Sequence, residues 1–600
     1  MRISSFVPFL PSIPDLSDFL SSRGNNVRLE DNYVGTISSS LLLELVFSGC
    51  QLLGVTDKDL DEDGDGYDDK NFGGKDCDDG NAAIHPGTEE IRGDGVDQNC
   101  NGYGDEDADL DGLSLDEGDC DDEEPAVRPG YFEYQDGIDN NCNDGVDESN
   151  LLGGRDESTD SFAVRLQGSV EGGQAGSSLA GGDLDGDGLA DLVVGAPEVD
   201  GGSESEGAIY VLKGRSEWQS PLLLEDADQI MAGSEKNDRF GNAAVVGDLD
   251  GDGQNELVVA AYDYDTQGGN GNGAVGVFSP YETATTGFDQ ADPLWWGDSD
   301  FMYAGGALAL SDMDGDGTEE VVVGAHGTDQ AYLLSWNQGA DGSSPLSQAA
   351  FSVLAGNDEN FGWGVSAGND LDGDGLEDIA VGAYGNSESA LEAGAVYVYL
   401  EAIDTPEPSA VISGIEEFSQ LGFSVATVVD MNGDGYAELL SGAPAQGAES
   451  ESNQGRAYVL LGQTNWEDHN LSDDAGVIQG SDSEFLGLCV SGVGDINSDG
   501  FGDIAVGGLS DEMGEEGGAV YLFLGGIGLW NAIRYDAGTA NAIFYGEAGM
   551  NLCPVAGTGD ANGEPYNDTA DDFLLGAPGS QDGTGDAFLI FGQPGRGTQG

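Results

Sequence analysis

Phe361-Gly-Trp-Gly-Val-Ser-Ala-Gly-Asn-Asp370-Leu-Asp372-Gly-Asp374-Gly-Leu-Glu-Asp378-Ile-Ala-Val-Gly-Ala-Tyr384 holds three structural instructions in succession. An apolar stretch opens on Phe-Gly, a loop with acids at alternate positions follows, and a β-rich run closes on small residues. Further on, Gly394-Ala-Val-Tyr-Val-Tyr399 reads as a third strand and Ala410-Val-Ile-Ser-Gly414 as a fourth. The acidic loop, D-x-[DN]-x-[DE], returns seven times, at Asp183, Asp248, Asp312, Asp370, Asp430, Asp495 and Asp560. Its intervals are 65, 64, 58, 60, 65 and 65 residues, a regularity that marks one repeated supersecondary unit. Four short antiparallel strands per unit, repeated radially, describe a propeller blade, so the fold class is all-β.

Composition agrees. The 600 residues include 100 glycines, which suit tight turns and crowded strands but disfavour helices. The formal charge of −98 comes from 115 acids against 17 Lys+Arg, and such a polyanion repels nucleic acid and anionic membranes. The acids recur at fixed places between apolar runs, which points to cation sites rather than disorder. After the leader no stretch reaches the ~18 apolar residues that a spanning helix needs.

The ordered set of Phe-Gly, acidic loop and Gly-Ala-Pro resembles the FG-GAP repeat of the integrin α-chain propeller and related bacterial surface proteins, over residues 161–593. The resemblance implies a seven-bladed, calcium-loaded β-propeller acting in adhesion or protein interaction, not an enzyme. Leu421 and Leu486 replace the Phe, and Tyr262, His326, Tyr384 and Leu509 stand where Pro is usual. The phrase Phe162-Ala-Val-Arg-Leu-Gln-Gly168 precedes the first unit, and the last unit stops after its third strand, Ala587–Phe591. Residues 162–168 are therefore expected to complete the seventh blade and leave no long edge open.

A hard cation such as Ca²⁺ takes six to eight oxygens from a sharply turning loop. Acids at loop positions 1, 3 and 5, a carbonyl at 7 and a carboxylate at 9 supply them. The candidate ligands are Asp183, Asp185, Asp187, Leu189 and Asp191 in the first loop, and Asp248, Asp250, Asp252, Gln254 and Glu256 in the second. The third offers Asp312, Asp314, Asp316, Thr318 and Glu320, and the fourth Asp370, Asp372, Asp374, Leu376 and Asp378. The fifth has Asp430, Asn432, Asp434, Tyr436 and Glu438, and the sixth Asp495, Asn497, Asp499, Phe501 and Asp503. In the seventh, Pro565 follows Glu564 and Asp572 lies twelve residues from Asp560, so a distorted or empty site is expected. Magnesium, smaller and strictly octahedral, fits less well.

Residues 51–150 form a smaller acidic region with little apolar content. Asp61, Asp63, Asp65, Tyr67 and Asp69 offer oxygens at loop positions 1 to 9. Two copies of an Asp/Cys segment follow, similar to a metal-binding module of secreted bacterial proteins and distantly to thrombospondin type 3 repeats. Their cysteines, Cys77, Cys100, Cys120 and Cys142, admit three pairings, of which 77–100 with 120–142 is the simplest. Cys489 and Cys553 lie in strand-like sequence and are expected as buried free thiols. Leu41–Cys50 resembles a lipoprotein signal ending in a lipobox, which would make Cys50 a lipid anchor within a leader of residues 1–50.

Other signals are bland. Arg92-Gly-Asp94 falls where the module family often has a Cys and is read as coincidence, and the three histidines lie far apart. No H-E-x-x-H occurs. Trp295-Trp296 and Trp363 could stack on sugars, though packing is the simpler reading. The expected partner is a protein, or alternatively a glycan in a lectin-like use of the propeller loops. A hydrolase accessory role is disfavoured, because no stretch outside blades and module is long enough for a catalytic domain. The expected location is secreted or cell-surface.

Overall fold

The computed structural model describes residues 163–593 apart from short loop stretches, residues 150–152, and scattered positions between 67 and 146. The chain divides into two compact units, Met1–Ala108 and Asp109–Gly600. In the first, a disulfide joins Cys77 to Cys100 with Cα atoms 5.6 Å apart, and Tyr67 stacks on His85 at 5.0 Å. Cys50, Asp61, Asp63, Asp65 and Asp69 lie outside the described residues.

The second unit holds seven antiparallel sheets, each with four core strands in spatial order. The fourth blade runs Phe361–Asn369, Asp378–Ala383, Ala395–Tyr399 and Ala410–Ser413, each strand pairing with the one before it. Its second and third strands are buried at every residue. That explains why they read as continuous apolar runs: neighbouring blades cover both faces, so no polar face is needed. The first strands pack side by side in a closed circle around the axis, blade one touching blade seven.

The motif residues are where blades touch. A Cβ on Gly195, the glycine of Gly-Ala-Pro in blade one, would lie 2.1 Å from the carbonyl oxygen of Gly241, the glycine of Phe-Gly in blade two. Gly241 itself has φ +90°. The same approach recurs at Gly382 with Gly422 and at Gly576 with Gly176. Any side chain there would force the blades apart.

Ala163–Gln167 pairs antiparallel with Asp586–Ile590 and completes the seventh blade as expected. Arg165 seals this seam, with Nη2 2.8 Å and Nε 3.2 Å from Asp586 Oδ2, whose side chain is fully buried. A second device was not foreseen. Several blades carry a short fifth strand, parallel to the fourth, sent back by the next blade's third-to-fourth connection. Leu222–Leu223 lies on Ala163–Gln167, Ser344–Pro345 on Leu294–Trp296, His469–Asn470 on Ala410–Ser413, and Arg534–Asp536 on Gly476–Gln479. Blade seven takes its fourth strand from the start of the propeller, so it has no such connection to lend blade six. Asn150–Leu152 fills that place on Ala542–Gly546. Asn150 is buried; its side chain accepts from the Glu133 N–H (2.8 Å) and donates to the carbonyls of Glu133 and Ile543 (3.1 and 3.3 Å). The second Asp/Cys copy, with its Cys120–Cys142 disulfide, is thereby tied to blade six.

One expectation is corrected. Cys489 and Cys553 are not free thiols but form a disulfide across 64 residues of sequence, Cα atoms 6.2 Å apart. Cys489 begins the first strand of blade six, and Leu552-Cys553 takes the place of Phe-Gly in blade seven. Both sulfurs sit over Gly507, whose missing side chain leaves the room. Period-based reading separates the two cysteines by a whole repeat, and only the radial packing of blades brings them together.

Arg165→Met should therefore lower stability by about 3–5 kcal/mol, because it leaves the buried Asp586 carboxylate unpaired. A chain starting at residue 172 should melt lower still, having lost the closing strand. One starting at 155 should fall between that chain and the full protein, since it keeps the closing strand but uncovers Ala542–Gly546. Thermal melts of the four proteins check this order; equal melting of the 172 and 155 chains would overturn the closure.

Candidate metal centres in the acidic loops

Each acidic loop links the first strand of a blade to the second, so all seven emerge at one end of the propeller. In the first loop, Asp183 Oδ1 accepts from the N–H groups of Gly186 (2.7 Å) and Asp187 (3.1 Å), and its Oδ2 from Gly188 (2.8 Å). Asp185 accepts from the Asp187 N–H (3.2 Å), and Asp187 from that of Leu189 (3.0 Å). Asp191, at position 9, reaches back to the Leu184 N–H (3.2 Å) and across to that of Gly214 (2.8 Å). These bonds curl the backbone outside the carboxylates and leave their remaining lone pairs facing inward.

The pattern repeats. The first acid accepts from the sixth-position glycine at Asp248, Asp312, Asp370, Asp430 and Asp495, at 2.8–3.0 Å. The ninth-position carboxylates of Glu256, Glu320, Asp378, Glu438 and Asp503 accept from the second-position N–H at 2.6–3.3 Å. Gln254, Thr318, Leu376, Tyr436 and Phe501 donate their N–H to Asp252, Asp316, Asp374, Asp434 and Asp499, as Leu189 does to Asp187. At position 3, Asn432 donates to Glu438 (2.6 Å) and Asn497 to Asp499 (3.2 Å).

Three carboxylate atoms lie within 4.8 Å of one another in five loops: Asp183, Asp185, Asp187; Asp248, Asp250, Glu256; Asp312, Asp314, Asp316; Asp370, Asp372, Asp374; and Asp430, Asp434, Glu438. Two oxygens that share a cation at about 2.4 Å can be no more than about 4.8 Å apart, so these groups are already at ligating separation. The sixth loop is not among these groups, though Asp495, Asn497, Asp499 and Asp503 keep the same hydrogen bonds. The donor set is all oxygen, which suits a hard divalent cation. Two further features agree. Asp378 Oδ1 is buried with no hydrogen-bond partner, and the Lys213 ammonium rests 2.5 Å from Asp185 Oδ2 as a cationic stand-in.

In the seventh loop, whose residues 564–569 lie outside the described ones, the two ends keep part of the pattern. Asp560 accepts from the N–H groups of Asn562 (3.1 Å) and Gly563 (2.6 Å). Asp572 occupies the ninth-position place despite the insertion, accepting from Ala561 (2.9 Å) and Gly592 (2.8 Å). Of the tryptophans considered for stacking, Trp295 is buried in the core and Trp363 packs edge-on against His326 and Tyr384.

Comparison with known proteins follows the same division. The FG-GAP repeat model matches residues 175–212, 240–278, 361–399 and 421–460, and the "Putative metal-binding motif" model matches 76–106 and 119–148. Integrin alpha-5 of Xenopus laevis is 30% identical over 220 residues, covering 35% of this chain and 20% of that protein. Human integrin alpha-IIb is 30% identical over 236 residues (37% and 21%). Phosphatidylinositol-glycan-specific phospholipase D of Dictyostelium discoideum is 29% identical over 178 residues (25% and 19%). The matched segments span about a fifth of each of these relatives. The chain is a seven-bladed β-propeller with acidic inter-strand loops. Four of its blades match the FG-GAP repeat model, and the region before them matches two copies of the "Putative metal-binding motif" model.

Burial raises the ninth-position carboxylates, helped by the neighbouring loop acids and opposed by the backbone N–H bonds they accept. Asp191 is pushed up to about 6, Glu256 and Glu320 to about 7, and Asp378, Glu438 and Asp503 to about 8. Folded-state values above the unfolded ones mean that the metal-free folded chain binds more protons between about pH 4 and 8. Its stability must fall as pH rises through that window. Chelated protein should melt higher at pH 6 than at pH 8. Excess cation should reverse the order, because ligands must be deprotonated to bind. Melts at the two pH values, with chelator and with cation, test both signs.

Proposed function

We propose that this protein is a calcium-loaded extracellular propeller that binds another protein, as an adhesion or interaction module without catalytic activity. The observation that carries the cation reading is the convergence of three carboxylate atoms within 4.8 Å in five loops. Calcium suits them better than magnesium, since mixed carboxylates, amides and carbonyls on a flexible loop give variable geometry and high coordination number. Three disulfides among the described residues, and relatives named as integrin α chains, support an oxidising, extracellular setting. Cys50 is the residue we propose for lipid attachment at the cell surface.

The ligand end is proposed to be the one opposite the acidic loops, where second strands turn into third and fourth strands lead to the next blade. Tyr262, Tyr303, His326, Trp363, Tyr384 and Phe423 form a continuous, half-exposed aromatic set there, flanked by exposed Phe301 and Phe418. Such rings supply contact area at low entropic cost, which favours a protein partner.

Calcium at a hundredfold excess over Kd should add about 2.7 kcal/mol per occupied site, so melts with calcium and with chelator should differ by many degrees. Superimposable melts would reject the calcium reading. For the ligand end, calcium-loaded protein should capture a partner from intact cells or matrix, and Phe301→Asn with Phe418→Asn should lose it. Capture unchanged by those substitutions would place the contact elsewhere.

A further inference from the structure

The acidic loops touch one another. The residue at loop position 8 donates its backbone N–H to the carbonyl of the first acid in the preceding blade's loop. Glu319 bonds Asp248 (3.0 Å), Ala437 Asp370 (2.9 Å), Gly502 Asp430 (3.0 Å), Asp571 Asp495 (3.0 Å) and Ala190 Asp560 (2.7 Å). Between the third and fourth loops a side chain does this work, Glu377 accepting from the Asp312 N–H at 2.7 Å. A second contact runs beside most of these. The position-7 side chain covers the position-4 glycine of the preceding loop so closely that a Cβ there would meet it. Those distances are 3.0 Å for Thr318 on Gly251, 3.0 Å for Leu376 on Gly315 and 2.6 Å for Tyr436 on Gly373. They are 2.9 Å for Phe501 on Gly433 and 2.6 Å for Leu189 on Gly563. Among the described residues the series is open only between the first and second loops, where Gly186 has nothing within 4 Å of that position. The loops thus form one linked series, running from the second through the seventh to the first.

We propose that this series makes cation binding cooperative, each occupied loop preparing the one before it; the inference rests on the cation reading above. Position 8 lies between two candidate ligands, the carbonyl of position 7 and the carboxylate of position 9. A cation that draws both in fixes the position-8 amide and the position-7 side chain. Those two groups hold the neighbouring loop's first acid and its tight glycine turn. The neighbour then binds with part of its ordering cost already met, and by linkage the effect is reciprocal. Electrostatics alone predicts the opposite sign. Each bound cation reduces the negative potential of a chain of charge −98 and weakens attraction for the next. Positive cooperativity is therefore diagnostic of the structural links.

Equilibrium dialysis of chelator-stripped full-length protein against Ca²⁺, at about 0.15 M salt where exposed charges more than ~8 Å apart are screened, tests this. The expected result is a Hill coefficient above 1. The Tyr436→Ala/Phe501→Ala variant keeps every candidate ligand, because those residues offer only backbone carbonyls. It should lower the coefficient toward 1 and weaken the fourth and fifth loops about fivefold, a typical coupling. Asn255→Ala, at the open junction and not among the candidate ligands, should leave binding as in the parent. If the double variant does not fold, Thr318→Ala at the second-to-third junction makes the same comparison. A parent coefficient at or below 1 would overturn the coupling while leaving the cation sites standing, as would equal losses from the Asn255 and Tyr436/Phe501 variants. Absence of any saturable binding would instead overturn the cation reading.

Discussion

Where Gly195 of one blade meets Gly241 of the next, two backbones lie too close for any side chain between them. That contact sets the spacing between blades and so decides how seven sheets can stand around one axis. Strands buried on both faces follow from it, because each blade is covered on either side by its neighbours. The seam follows as well. The same approach of Gly576 to Gly176 holds the junction between blades seven and one, and Arg165 with Asp586 brings the closing strand into register there.

The acidic loops inherit their arrangement from this packing. Each is anchored by a ninth-position carboxylate at the start of a buried second strand, which explains why those groups are hard to ionise without a cation. Burial that would be a liability for a free carboxylate becomes part of a binding site once a positive charge is present. The same close spacing brings loops of adjacent blades into hydrogen-bond contact, so seven similar turns become one linked series.

Much was legible in the sequence because both repeats involved are local. Alternate acids place oxygens on one side of a turn whatever surrounds it, so the candidate ligands from Asp183 to Asp503 could be named in order. The seven-fold period, the four strands per unit and the closing strand also followed from composition and spacing. The N-terminal module was readable only as a pattern, and its cysteine pairs became definite when Cys77 met Cys100 and Cys120 met Cys142.

Contacts across blades were not legible, since residues one full period apart carry no mark of being neighbours. The pairing of Cys489 with Cys553, the use of Asn150–Leu152 to cover blade six, and the links between acidic loops all join segments separated by dozens to hundreds of residues. Position 8 is the clearest case. Ala190, Glu319, Ala437, Gly502 and Asp571 share no side-chain chemistry, because what they contribute is a backbone N–H. The sequence alone determined the repeat, the strand pattern and the local chemistry of each loop, all set by interactions within a few residues. Tertiary structure decided which loops, strands and sulfurs meet, because radial packing brings distant segments together largely through backbone groups that every repeat possesses alike.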